Sequence, residues 1–257
     1  MMYIAIALAA LLGATLSFFS GFGLGTILLP AFLLFFPPPV AVACSAVVHL
    51  LNNFYKLFLV GKHADKKLVI TFGGLSFLGS LLGALLLTQI DVHGVVYAYH
   101  LGDHHFEVTE INLLIGILII CFTLLELNPS FQKGIFPPQW INIGGLISGF
   151  FGGLSGHQGA LRSAFLTKAG LTKEAMLGTR AVIATIVDIT RISVYITLFQ
   201  TGTEQLNWPL ILFATLFAAT GATLGNKWVK KTELSTVNKI VTYSLIAFGI
   251  GLGLGWI

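Results

Sequence analysis

The chain has 257 residues, 56% of them apolar and 9% charged, with a mean hydropathy of +0.90. Soluble domains carry about 25% charged residues, so most of this surface faces something other than water, which excludes a soluble enzyme or binding module. The formal net charge of +4 comes mostly from lysines in short loops, a pattern of membrane topology rather than of nucleic-acid binding.

A membrane span needs ~20 mostly apolar residues. In chain order, spans are expected at 40–60, 68–90, 111–127, 175–199, 208–228 and 236–257. The N-terminus starts Met1-Met2-Tyr3 without a basic region, so its apolar segment is expected to be retained rather than cleaved. Two further apolar stretches, 3–36 and 139–167, are interrupted by Gly-rich breaks at Ser20–Gly25 and Gly152–Gly156. Half-length helices around such breaks predict re-entrant hairpins or broken helices. Cys44 and Cys121 lie inside apolar runs, so neither a disulfide framework nor a zinc site is expected.

The two halves repeat. Shifted by 134 residues, Gly159 falls on Gly25, Ala175 on Ala41, Thr179 on Ser45 and Val182 on Val48; Gly221 and Gly225 follow Gly79 and Gly83 at a slightly larger offset. If each broken segment enters and leaves on one side, Lys62, Lys66, Lys67, Lys133, Lys168, Lys173, Lys227, Lys230, Lys231 and Lys239 share one face of the membrane, and loops 91–110 and 200–207 carry no lysine. The positive-inside rule favours that arrangement. It leaves three crossings per half, which inverts the second repeat and puts both termini outside. The predicted fold is therefore all-α and multi-pass, in a plasma or inner membrane. Residues 1–127 and 128–257 form two inverted repeats, each a broken hairpin plus three transmembrane helices, the architecture of secondary transporters.

Intramembrane charge is costly and points to a site. The helix after the first hairpin carries His49, Asn52, Asn53 and Lys56 on one face; its repeat partner carries Arg180, Asp188 and Arg191. The two stripes are expected to face each other. The helices restarting near Thr26 and near Gly159 aim N-terminal N–H groups at the tips. Gly25 allows an anion close to the backbone, and the second tip adds Ser155, His157, Gln158 and Arg162. Arg191 and Arg162 are the first candidates for pairing with an anion, with Arg180 beside them. Asn52, Asn53 and Gln158 would donate hydrogen bonds, and His49, His157 and Asp188 are candidates for proton coupling. The alternatives are that Lys56 and Arg180 snorkel to the interface, that Arg191 and Asp188 form a structural pair, and that the glycines only pack helices. His100, His104 and Glu107 could hold a metal, but loop 91–110 is expected to be a solvated loop or surface helix. No metal or cofactor is expected.

The chain resembles the TauE/SafE sulfite-exporter family. The resemblance rests on Gly21–Gly25 followed by Pro30, on Pro37-Pro38-Pro39, on the Ala41–Ser45 run, and on the recurrence of this arrangement around Gly152–Thr179. It implies a permease for a small sulfur-containing or organic anion such as sulfite, sulfoacetate or thiosulfate, coupled to H+ or Na+. A homodimer is the candidate assembly. Where many members have glycines and a proline in the second tract, this chain has His157-Gln158-Gly159-Ala160-Leu161-Arg162, which suggests a more specialised anion site. Two other functions fit parts of the pattern. Gly153-Leu154-Ser155-Gly156 matches the GxSG of intramembrane serine proteases, with His49 or His157 as base, but leaves the duplication and the arginines unexplained. A passive anion channel would use the same charges.

Overall fold

A computed structural model describes residues 1–17, 23–201, 206–228 and 235–257. Part of the first Gly-rich break (Ser20–Phe22) and Lys230 and Lys231 lie outside them. Among the described residues twelve α-helices appear in order: α1 Met2–Leu16, α2 Leu24–Leu33, α3 Pro38–Val60, α4 Lys66–Leu68, α5 Gly74–Gln89, α6 Glu110–Leu127, α7 Pro129–Gln132, α8 Ile141–Ser155, α9 Gly159–Leu166, α10 Lys173–Thr201, α11 Trp208–Trp228 and α12 Ser235–Gly253. A π turn at Val69–Gly73 joins α4 to α5. Every expected span is helical, and both interrupted stretches are broken into two helices, α1/α2 and α8/α9. Pro38 opens α3 at a position where its missing N–H costs nothing, and Asp65 caps α4 by accepting from Leu68 N (2.8 Å). Pro38–His63, Lys66–Gln89, Glu110–Leu127 and Trp208–Lys227 are long and apolar enough to cross a membrane; α10 is longer but carries Arg180, Asp188 and Arg191.

Loop 91–110 is neither a solvated coil nor a helix. It folds into an antiparallel hairpin, β1 Val95–Leu101 and β2 His104–Thr109. Val95-Val96-Tyr97 and Tyr99 favour extended backbone, and Gly102 at φ +60° turns the chain. Pairing puts His100 against His105, and His105 Nε2 lies 3.3 Å from Glu107 Oε1. The His104 ring meets Phe106 instead, so His100, His104 and Glu107 do not converge on one face. Among the described residues, no three His, Cys, Asp or Glu side chains are placed to share a metal.

Small residues set the packing. Gly145, Gly149 and Gly153 of α8 abut the backbone of Phe72, Ser76 and Ser80, while Gly79 and Gly83 of α5 abut Leu146–Phe150 and Phe150–Leu154. The residue numbers rise together, so α5 and α8 run parallel. On the other side of the bundle, Tyr3 meets Phe213 (5.7 Å between rings) and Thr15 Oγ1 donates to Gly221 O (3.1 Å), so α1 and α11 also run parallel. Gly116 of α6 fits against Gly249 and Gly253 of antiparallel α12, and α3 and α10 cross antiparallel, with Gly178 against Val60 and Ala64. These are the close approaches that small residues permit where lipid supplies no hydrophobic drive. One end of the bundle gathers lysines: Lys67, Lys168 and Ile141 line a single groove. The opposite end holds the β-hairpin, where Tyr99 OH donates to Leu254 O and accepts from Trp256 Nε1.

A Cβ at Gly153 has no room against Ser80, whereas Gly74 has open space around it. Gly153→Val is expected to cost about 1–3 kcal/mol through overpacking, and Gly74→Ala to be neutral or stabilising by up to about 1 kcal/mol. Thermal unfolding of the detergent-solubilised variants measures both.

Candidate functional site

The two broken helices meet at their tips. Helix α8 ends at Gly156, in left-handed backbone (φ +84°). Any side chain there would be strained, and would also strike the Arg191 guanidinium, 2.7 Å from the position of a Cβ. The Gly156 carbonyl lies against Gly25 of α2, where a Cβ would sit 3.3 Å from its oxygen. Two glycines thus let the hairpins touch backbone to backbone.

Asp188 of α10 is fully buried and ties this region together. Its Oδ2 lies 2.6 Å from His49 Nδ1 and accepts from Asn53 Nδ2 (2.8 Å), both on α3. Its Oδ1 accepts from Arg191 Nε (3.0 Å), with Nη2 at 2.8 Å. The two polar stripes do face each other, and one carboxylate links them. Arg191 is 1% exposed, wedged between Asp188 and the second tip. The hydroxyl of Tyr195, one turn along α10, donates to the Gly153 carbonyl.

A cavity of about 60 Å³ lies on one side of this hub. Its lining includes Gly23 and Leu24 of the first hairpin, His49, Asn53 and Lys56 of α3, Gly159 and Arg162 of α9, and Arg180 of α10. That volume holds roughly four waters at about 15 Å³ each, the size of a small oxyanion. Three basic side chains line it, and among the described lining residues there is no carboxylate. Lys56 Nζ donates to Ser17 Oγ (2.8 Å), Arg162 Nη1 to Gln158 Oε1 (3.0 Å), and Arg180 to Ser163 Oγ. Lys56 and Arg180 are half-buried and point into this cavity. The N-terminus of α9, opening at Gly159, adds its dipole on the same wall.

The remaining candidates are buried but outside the lining. Asn52 is fully buried, and neither of its amide atoms has a hydrogen-bond partner among the described residues; Gln158 Nε2 and His157 Nε2 are in the same position. His157 stacks on Phe122 (5.5 Å, 8°) and its Nδ1 lies 3.0 Å from Ser155 Oγ. That serine–histidine contact sits at the buried tip, off the cavity, and Ser155 also bonds the Phe151 carbonyl. Glu126, at the end of α6, went unnoticed in the sequence. It is 3% exposed, and its Oε1 accepts from Thr26 Oγ1 (3.3 Å) at the start of α2. The available signal was its position as the one acid after the first turn of an otherwise apolar α6 run.

Replacing Asp188 with Asn leaves the Arg191 charge buried without its anion, a loss of about 3–5 kcal/mol for a pair of this kind. A substantially lowered unfolding temperature is expected for Asp188→Asn, partly restored when Arg191→Gln is added. A single variant as stable as the parent would show that the hub carries little of the structure.

The family model described as sulfite exporter TauE/SafE matches residues 6–252. No curated protein and no solved structure matches the chain. The match spans both broken hairpins and the cationic cavity between them, and the chain belongs to the sulfite exporter TauE/SafE family of multi-pass membrane transporters for sulfite-type anions.

Proposed function

We propose that the protein is a secondary transporter that moves a small sulfur-containing or organic anion of the sulfite, sulfoacetate or thiosulfate type by alternating access, using two inverted repeats, 1–127 and 128–257. The observation that carries this reading is the cavity lined by Lys56, Arg162 and Arg180 with no carboxylate among its described lining residues. Three cations held at bilayer depth are costly unless something negative visits them. The small volume favours an anion of a few heavy atoms. Arginine suits an oxyanion, since its planar fork donates two parallel hydrogen bonds.

Reciprocal packing supports the inversion. Each hairpin's first helix lies parallel to the Gly-rich helix of the other half, α1 on α11 and α8 on α5, while α3 crosses α10 and α6 crosses α12. Helix α8 starts at the lysine-rich end and α1 at the other. Assigning the lysine-rich end to the cytoplasm follows the positive-inside rule and puts both termini outside. Val60 and Leu177 line the cavity on its lysine-rich side, so this conformation is read as facing the cytoplasm. The hub of His49, Asp188 and Arg191, together with the Gly25–Gly156 contact, then forms the barrier. Asn52, His157, Gln158 and Arg191 belong to the pathway beyond it, where they would meet the anion in the outward-facing state. His49, His157 and Asp188 remain the candidates for coupling among the residues that the sequence singled out.

Arg162→Gln and Arg180→Gln each remove a charged hydrogen bond worth about 1.5–3 kcal/mol, so each should weaken sulfite or thiosulfate binding by tenfold or more, read by calorimetry on the purified protein. Proteoliposomes loaded with unlabelled anion should accelerate uptake of labelled anion. Binding unchanged in both variants would sink the anion site, and flux without counterflow would favour a passive channel.

A further inference from the structure

The two hairpin tips are unequal, and the difference lies in Glu126. At the second tip the start of α9 faces the cavity through Gly159, with Arg162 one turn on. At the first tip the corresponding turn of α2 already holds a carboxyl group belonging to the chain. The Glu126 carboxyl accepts from the Thr26 hydroxyl (3.3 Å), with the backbone N–H of Gly23 in its electrostatic surroundings. Gly23 and Leu24 also line the cavity, so the carboxylate and a bound anion would share one helix turn. The residue matching Thr26 after the 134-residue shift is Ala160, which has no hydroxyl to hold such a carboxylate. Helix N-termini attract anions, and here the covalently attached anion is first in place.

The charged and titratable groups around Glu126 come from several elements. Arg180 of α10 lies within electrostatic reach of its carboxylate. His157, at the second tip, stacks on Phe122 one turn earlier on α6. Across the cavity stand His49 and Lys56 of α3 and Arg162 of α9. Arg180 therefore answers to two anions: Glu126 on one side and whatever occupies the cavity on the other. Two negative charges at this depth repel with little screening.

Resting on the anion reading above, we infer that Glu126 is a tethered competitor for the transported anion: ionised, it holds the α2 N-terminus and Arg180, and the anion binds together with a proton that neutralises this carboxylate. The proton ends on Glu126, the anion on Arg162, Arg180 and Lys56, and the net charge entering the site falls by one. Neither group needs any other reactant.

The test is calorimetric binding of thiosulfate, whose own charge stays constant from about pH 8 to about pH 5.5, to the purified full-length protein. One proton taken up per anion makes affinity rise toward tenfold per pH unit of acidification. Glu126→Gln should bind at every pH about as tightly as the parent does at the acidic end, without that slope. Should Glu126→Gln fail to fold, Thr26→Val keeps the question open to measurement: it should retain the slope and move the pH at which it sets in. The inference is overturned if Glu126→Gln keeps the parental slope, if Thr26→Val leaves the profile unmoved, or if the slope vanishes in His49→Gln instead. A parent that binds thiosulfate with pH-independent affinity, lost in Arg162→Gln, overturns the role of Glu126 while leaving the anion site standing. Absence of binding of thiosulfate and sulfite at every pH sinks both.

Discussion

Asp188 is the carboxylate on which the centre of this bundle depends. It sits where α3 and α10 cross, fully buried, and answers to His49 and Asn53 on one side and to Arg191 on the other. Without it, Arg191 would be an uncompensated cation at bilayer depth, and the second hairpin tip would rest on a repelling group. With it, Arg191 becomes a rigid post under Gly156, and the Tyr195 hydroxyl fixes the Gly153 carbonyl beside it. A buried pair of this kind contributes little net stability compared with apolar packing. Its effect is to specify position: it fixes which turn of α3 faces which turn of α10, and so where the cavity's cations stand.

That placement separates two sorts of positive charge. Arg191 is neutralised by the chain itself. Lys56, Arg162 and Arg180 each donate to a neutral oxygen, of Ser17, Gln158 and Ser163 respectively, which orients them. Hydroxyl and amide acceptors hold a guanidinium in one geometry while leaving it able to bind an oxyanion, whereas a carboxylate partner would compete for the same donors. Of the carboxylates near this set, Glu126 is placed on the Thr26 hydroxyl at the start of α2 and Asp188 in the hub, rather than in the described cavity wall.

Much of this could be read from the residues. The spans, both breaks and the facing stripes of α3 and α10 follow from hydropathy, glycine position and helical spacing, because lipid imposes those constraints locally along the chain. What could not be read depends on the third dimension. Spacing puts Asp188 within reach of Arg191, but it does not place His49 on the other carboxylate oxygen. Glu126 sits near the end of its span, and only the position of the first tip brings Thr26 to it. Loop 91–110, expected to be a solvated loop or surface helix, is a β-hairpin instead, because its Val–Val–Tyr run favours extended backbone.

The same geometry bears on how an anion would cross. On the proposed route the cavity would come first; beyond it stand the His49–Asp188 contact, the backbone contact of Gly25 with Gly156, and buried amides of Asn52 and Gln158 with unmet hydrogen-bonding capacity among the described residues. Unsatisfied polar atoms at this depth destabilise the state that holds them. A second conformation that brings them an anion or water would recover that cost while stranding groups on the first side. Two states of similar energy, each leaving the other's ligands unmet, are what alternating access requires. Backbone-to-backbone contact at glycine tips is a suitable closure, since it parts without uncovering a large apolar surface.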